Sequence, residues 1–248
     1  MIKMEEKKFS ASAYAAFLVG LLLIIVVIFS MYKYHVEGES KPPFIISKII
    51  VTSSAKTVDI TQKDTDYAAN ILQNNDIKIA IQKNPEYKKE AKIKKLIINN
   101  IQITETDKAT QIAVYRPSKE INLYDYKEQY VLKGDMEYFG SSKTDLKSDN
   151  LQISNQGGIV ELSVAQCNLG EITYKENEQI QIDGTLIEKL NMDSKDIAFK
   201  LTFDMIIELE GNLKLKTTIT MDLPKGNIIE NGIELYEHKD FKSVFKRI

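Results

Sequence analysis

Tryptophan is absent from this 248-residue chain, cysteine occurs once and histidine twice. Each shortage closes a route. With Cys167 alone, no intramolecular disulfide can form, so the fold is not a small disulfide-built scaffold. A histidine metal cluster or a Ser-His-Asp site would have to rest on His238, because His35 adjoins a long apolar run. No serine stands in a Gly-x-Ser-x-Gly elbow, and Ser163 falls in a strand-like run. Gly157-Gly158 and Gly184 lack the spacing and the Lys-Ser/Thr of a phosphate loop. Without tryptophan, Tyr124, Tyr126 and Tyr130 make a weak case for sugar stacking, and ordinary packing is expected of them. No Asn-x-Ser/Thr sequon occurs, so glycosylation gives no guide to topology.

Charge of one sign is also lacking. The formal net charge is −2, from 33 basic and 35 acidic residues. Setting aside Lys3, Lys7, Lys8, Glu5 and Glu6 ahead of the apolar run leaves 30 bases and 33 acids. Such a balance argues against a nucleic-acid binder, which shows a basic excess. The acidic clusters Asp64-Thr65-Asp66 and 193–196 (DSKD) lack the alternating oxygen ligands and closing glutamate of a calcium loop, so they read as solvated turns. Cys167 reads as filler within a strand and His238 as a lone surface histidine. No residue is therefore assigned a catalytic, cofactor-binding or metal-ligating role, and no cofactor is expected.

What the chain does have is one long hydrophobic run. Between Lys8 and Lys33 lie 24 uncharged residues, and 13–32 alone supply about 30 Å of helix, the thickness of a bilayer's hydrocarbon. Twelve of those are Phe, Leu, Ile or Val, which favours insertion by about 4 to 7 kcal/mol. Tyr14 marks one edge, Tyr32 and Tyr34 the other. A cleavable leader would have a shorter core and a small-x-small site, whereas Phe29-Ser30-Met31-Tyr32 is bulky, so an uncleaved single-pass anchor is expected. The positive-inside count is a tie, with Lys33, Lys41 and Lys48 on the far side. The short charged start has the form of a signal anchor, which places the large domain outside the cytoplasmic membrane; a cytosolic domain is the alternative. Ser12, Ala16 and Gly20 share one helix face at four-residue spacing, a candidate face for helix pairing and a homo-oligomer.

The expected organisation is a tail at 1–9, a transmembrane helix at 10–34, a Gly/Pro-marked spacer at 35–43 and a β-rich domain at 44–248, with 140–150 as a candidate sub-boundary. Strands are expected at 44–52, 77–82, 93–104, 111–116, 129–138, 159–168, 179–188, 197–210 and 213–223. A short helix is expected at 66–73, and Asn84-Pro85-Glu86 has the form of a helix start. The clearest element is a hairpin in which Phe203, Met205 and Ile207 alternate against Leu215, Ile219 and Met221. Burial selects a three-residue loop at 210–212, pairing Ile207 with Leu215 and putting Asn212 in the left-handed region. One greasy sheet face needs a lid, and helical material is scarce, so the fold class is mainly β, an antiparallel β-sandwich behind a single transmembrane helix.

Lys88, Lys89, Lys92, Lys94 and Lys95 form a basic patch suited to a polyanion such as a wall polymer or lipid headgroups; a solvated helix end or an edge-strand guard is the plainer reading. The segment Leu223-Pro224-Lys225-Gly226 lacks the threonine of a wall-sorting signal, so only the N-terminal helix is expected to tether the chain. The functional expectation is a binding or assembly component of the cell envelope with a protein or polymer partner. A membrane-anchored hydrolase or transferase with a carboxylate site is the alternative, since such sites leave no linear signature.

Overall fold

A computed structural model describes residues 11–105, 111–117, 126–143, 150–175, 178, 185–239 and 241–248. The chain begins with one helix, α1 (Ala11–Val36), followed by a mainly β domain of two sheets. The stretch Tyr14–Val36 of α1 is long and apolar enough to cross a membrane, with none of it buried against the domain. At 23 residues it is about 34 Å long, enough for the hydrocarbon thickness of a bilayer.

The first sheet has the order β10-β1-β2-β7-β4 and is antiparallel throughout. Its centre is three long strands, β1 (Phe44–Lys63), β2 (Asp66–Lys83) and β7 (Gly157–Lys175), flanked by β4 (Gln111–Tyr115) and β10 (Ile233–Lys239). The second sheet runs β11-β9-β8-β3-β5-β6, from β3 (Ile93–Glu105), β5 (Met136–Ser141), β6 (Leu151–Ser154), β8 (Phe199–Leu209), β9 (Lys214–Leu223) and β11 (Lys246–Arg247). Only β5 and β6 pair parallel, a departure from the antiparallel expectation. These two strands flank the 140–150 stretch and lie side by side, and the main core draws residues from both sides of it.

Alternation built the sandwich. Ile49, Val51, Ile77 and Ile79 of the first sheet face Leu96, Ile98, Phe203 and Met205 of the second in one buried cluster. The hairpin has the expected register: Ile207 opposes Leu215, Leu209 N–H donates to Leu213 O at 2.9 Å, and Asn212 has φ 63°. Beyond the sandwich the ladders of the long strands carry register irregularities, at 58–61 in β1 and at 167–169 of β7 opposite Ile71–Gln73. Their far halves bury Ala55, Ala69 and Ile71 under α2 (Thr185–Glu188) and α3 (Ile228–Asn231). On the opposite face Leu72 and Ala165 pack against Tyr115 and the segment around Tyr126–Val131.

Four expectations need correction. Residues 66–73 are strand, not helix, because Ile71 and Leu72 point to opposite faces and each face has its own lid, which erases the alternation. Asn84 starts a turn: its Oδ1 accepts from Glu86 N–H at 3.0 Å, its carbonyl from Tyr87 N–H at 3.0 Å, and no helix follows. Of the strand expected at 179–188, 179–184 lie outside the described residues and 185–188 form α2. The strand expected at 129–138 splits into a 3-10 turn at Glu128–Tyr130 and the start of β5 at Met136.

Candidate functional site

The end of the domain nearest α1 is built by a clasp between both ends of the described chain. Gly38, at φ +93°, lies so close to the C-terminal segment that a Cβ there would stand 2.5 Å from Val244 Cγ1 and 2.9 Å from Phe245 O. Glu39 N–H donates to Phe245 O at 2.6 Å, and the Phe245 ring is fully buried in the sandwich core. Arg247 gives its Nε–H to the Glu39 carboxylate at 2.6 Å and lies 4.2 Å over the Tyr34 ring. His35 donates from Nδ1 to Arg247 O at 2.6 Å, which sets the proton on that nitrogen. β11 then pairs with β9, Arg247 opposite Leu215 and Lys246 opposite Lys216. Beside the clasp opens a recess of about 590 Å³, lined by His35, Lys216, Phe241, Lys242, Lys246 and Arg247 among others.

Topology brings the lysine run to the same end. Asn84 N–H donates to Pro43 O at 2.9 Å and its Nδ2 to Pro42 O at 2.8 Å, so the 84–92 loop is pinned to the spacer. Lys41 and Glu86 add an ion pair at 3.6 Å, largely exposed and worth little by itself. Lys88 and Lys89 are exposed on this loop. The other three lysines are paired: Lys92 with Glu90 at 3.2 Å, Lys94 with Glu208 at 2.6 Å and Lys95 with Glu137 at 2.8 Å. Hydrogen bonding from Lys94 is the main cause that holds the Glu208 carboxyl below its ordinary range, against the effect of burial. Because β3 lies between β8 and β5, these lysines guard no sheet edge, and no helix ends there.

Ser12, Ala16 and Gly20 lie along α1, and a Cβ added at Gly20 would meet nothing within 4 Å. Cys167 is half-buried in β7 with its Sγ 3.3 Å from the Tyr115 hydroxyl. Ser163 is fully buried and donates to Asp76 Oδ1 at 2.6 Å, in a network that ties Asn75, Ser53 and Tyr126 across β1, β2 and β7. Tyr126 is edge-on to Tyr115 at 5.1 Å, Tyr130 packs in the same cluster, and Tyr124 lies outside the described residues. Asp193 Oδ1 accepts from Lys195 and Asp196 N–H groups at 2.7 and 3.2 Å, a capped turn. His238 is exposed, its ring near Tyr236 and Phe241. Among the described residues no three His, Cys, Asp or Glu side chains gather as a metal site would require.

Sequence reasoning missed β10. None of its seven residues is buried, and Ile233 and Leu235 stand 61% and 69% exposed at the edge of the first sheet. A strand without a buried face has no alternation to betray it; its signal was only a β-branched, aromatic composition after Gly232. The β4 edge, by contrast, is covered, since Leu132 N–H donates to Val114 O at 2.8 Å and Arg116 N–H to Tyr130 O at 3.2 Å. No family model, curated protein or solved structure matches the chain.

Proposed function

We propose that the chain is a binding or assembly component of the cell envelope. In this reading α1 is a signal anchor in the cytoplasmic membrane, the β domain stands on the outer side, and β10 accepts an extended strand of a partner protein. β10 carries the reading. Its outer edge offers a row of main-chain N–H and C=O groups that no other described strand pairs, and an extended polypeptide is the chemistry that satisfies such a row. Ile233 and Leu235, two residues apart and so on one face, add apolar contacts. The remaining edges suit this less: β4 is covered, β11 has two residues and β6 four.

The test places a photo-reactive benzoylphenylalanine at Leu235 in the full chain in its own membranes, with Thr220 on the second sheet as the comparison site. One discrete partner adduct at Leu235, abolished by Ile233→Lys, is expected. Equal adducts at both sites sink the proposal, and adducts with a second copy alone move β10 to self-assembly. Helix pairing through Ser12, Ala16 and Gly20 is read separately, by bulky substitutions and cross-linking within the membrane. Turnover of a hydrolase or transferase substrate, lost on replacing His238 or an acid pair, would favour the enzyme class instead. A reporter fused after Ile248 reads the side of the membrane.

A further inference from the structure

We infer that the α1-facing end of the domain is a binding site for the phosphate headgroups of anionic lipid, centred on Lys242 and Lys246 and extended by Lys88 and Lys89. Depth comes first. Tyr32 closes the uncharged run and His35 lies three residues further along α1, about 4.5 Å up the axis. The headgroup layer is roughly 5 to 7 Å thick on each side of the hydrocarbon, so a recess that His35 lines opens within it.

Charge comes second. Segment 83–95 is net positive by four and segment 241–248 by three. The hairpin end 208–216 is neutral and the spacer 37–43 negative by one; with Glu137 and Asp204, the partners of Lys95 and Lys216, counted in, this end is positive by four. The whole chain is at −2, so the rest of the surface is net acidic and the sign is segregated toward the bilayer. Lys216 and Arg247 are already committed to Asp204 and Glu39, whereas no carboxylate pairs with Lys242 or Lys246 among the described residues. Apolar contact is third: Val244 and Ile248, both about half exposed, flank these lysines and suit the boundary between headgroup and acyl chain. A lipid phosphate satisfies all three conditions; a free phosphate ion would use the charge alone. The site also explains the clasp, which holds the cationic end at a fixed height above α1.

The full chain in detergent micelles is titrated with phosphatidylglycerol or phosphatidylcholine, and bound lipid is counted by native mass spectrometry. Phosphatidylglycerol is expected to bind at least about 25-fold tighter, a preference that falls as salt is raised. Lys242→Ala with Lys246→Ala removes about fivefold per lysine, roughly 25-fold together. Lys189→Ala with Lys200→Ala, at the far end, leaves the preference intact. Equal binding of the two lipids, a salt-independent preference, or equal loss in both double variants overturns the site. Displacement of phosphatidylglycerol by inorganic phosphate at comparable concentration overturns its assignment to lipid. A chain that leaves the bilayer fraction on flotation overturns the depth argument by itself.

Discussion

Tyr138 shows how one side chain stands in for a missing strand. β4 reaches only as far as Ser163 on the edge of β7, which leaves the Glu161 peptide beyond its cover. From β5 in the other sheet, the Tyr138 hydroxyl donates to Glu161 O at 2.6 Å and accepts from Glu161 N–H at 3.0 Å. Burial pushes this phenol well above its ordinary value, so it keeps the proton it donates. Tyr138→Phe keeps the ring and strands both peptide groups, at a cost of about 1 to 3 kcal/mol read by denaturant unfolding; an unchanged midpoint would show that water replaces the hydroxyl. Asp204 is a second case. Burial works against its charge, but Thr218 at 2.5 Å, Asn100 at 3.2 Å and Lys216 at 3.3 Å all donate to it and hold its pKa below the ordinary range. A depressed carboxyl stabilises the fold above its unfolded pKa and loses that contribution as pH falls through the folded one. Asp204→Asn is therefore expected to be less stable than the native chain at pH 7, and the gap should narrow below about pH 4. A gap independent of pH would refute the assignment. Neither contact was legible in the sequence, since both depend on which strands become neighbours.

At the scale of elements, legibility followed burial on one side. The β8–β9 hairpin has one dry face and one wet face, so alternation fixed both its strands and its register, and Asn212 fell at the left-handed position the loop demands. Asn212→Val is expected to cost about 1 to 2 kcal/mol by forcing a β-branched residue to positive φ, whereas Asn212→Gly should be close to neutral. Equal effects of the two would mean the loop relaxes to another geometry. β2 failed the same reading for the opposite reason. Gln73, Asn74 and Asn75 are all buried, with Asn75 accepting from Ser53 Oγ at 2.7 Å and giving Nδ2 to Val164 O at 3.3 Å. A polar run that is satisfied by neighbouring strands looks, in one dimension, like a turn or a capped helix. β10 was lost because nothing covers it, and β6 because four residues carry too little pattern.

On the scale of the whole molecule, a net charge near zero concealed a cationic end, because the basic run at 88–95 joins the C-terminal lysines only once Asn84 ties its loop to the spacer. The apolar helix was the opposite case, its bilayer-scale length legible from composition alone. What joins the two is the clasp, and its energetics are local. The Glu39 side chain is 12% exposed and Arg247 39%, so the ion pair between them is partly screened and contributes little to global stability. Its role is positional, because it holds the C-terminal segment against Tyr34 and the spacer, where Glu39 N–H meets Phe245 O. Arg247→Ala should therefore leave the melting temperature of the domain within a few degrees while opening the clasp. Amide exchange at Glu39 and Ile248, whose N–H groups are bonded to Phe245 O and Lys214 O, is expected to rise about tenfold or more in bilayer nanodiscs, with the β8–β9 core unchanged. Unaltered protection would mean that Phe245 alone holds the segment down. Exchange that rises across both sheets would mean that the helix end is part of the core's cooperative unit, so that α1 and the domain fold as one body.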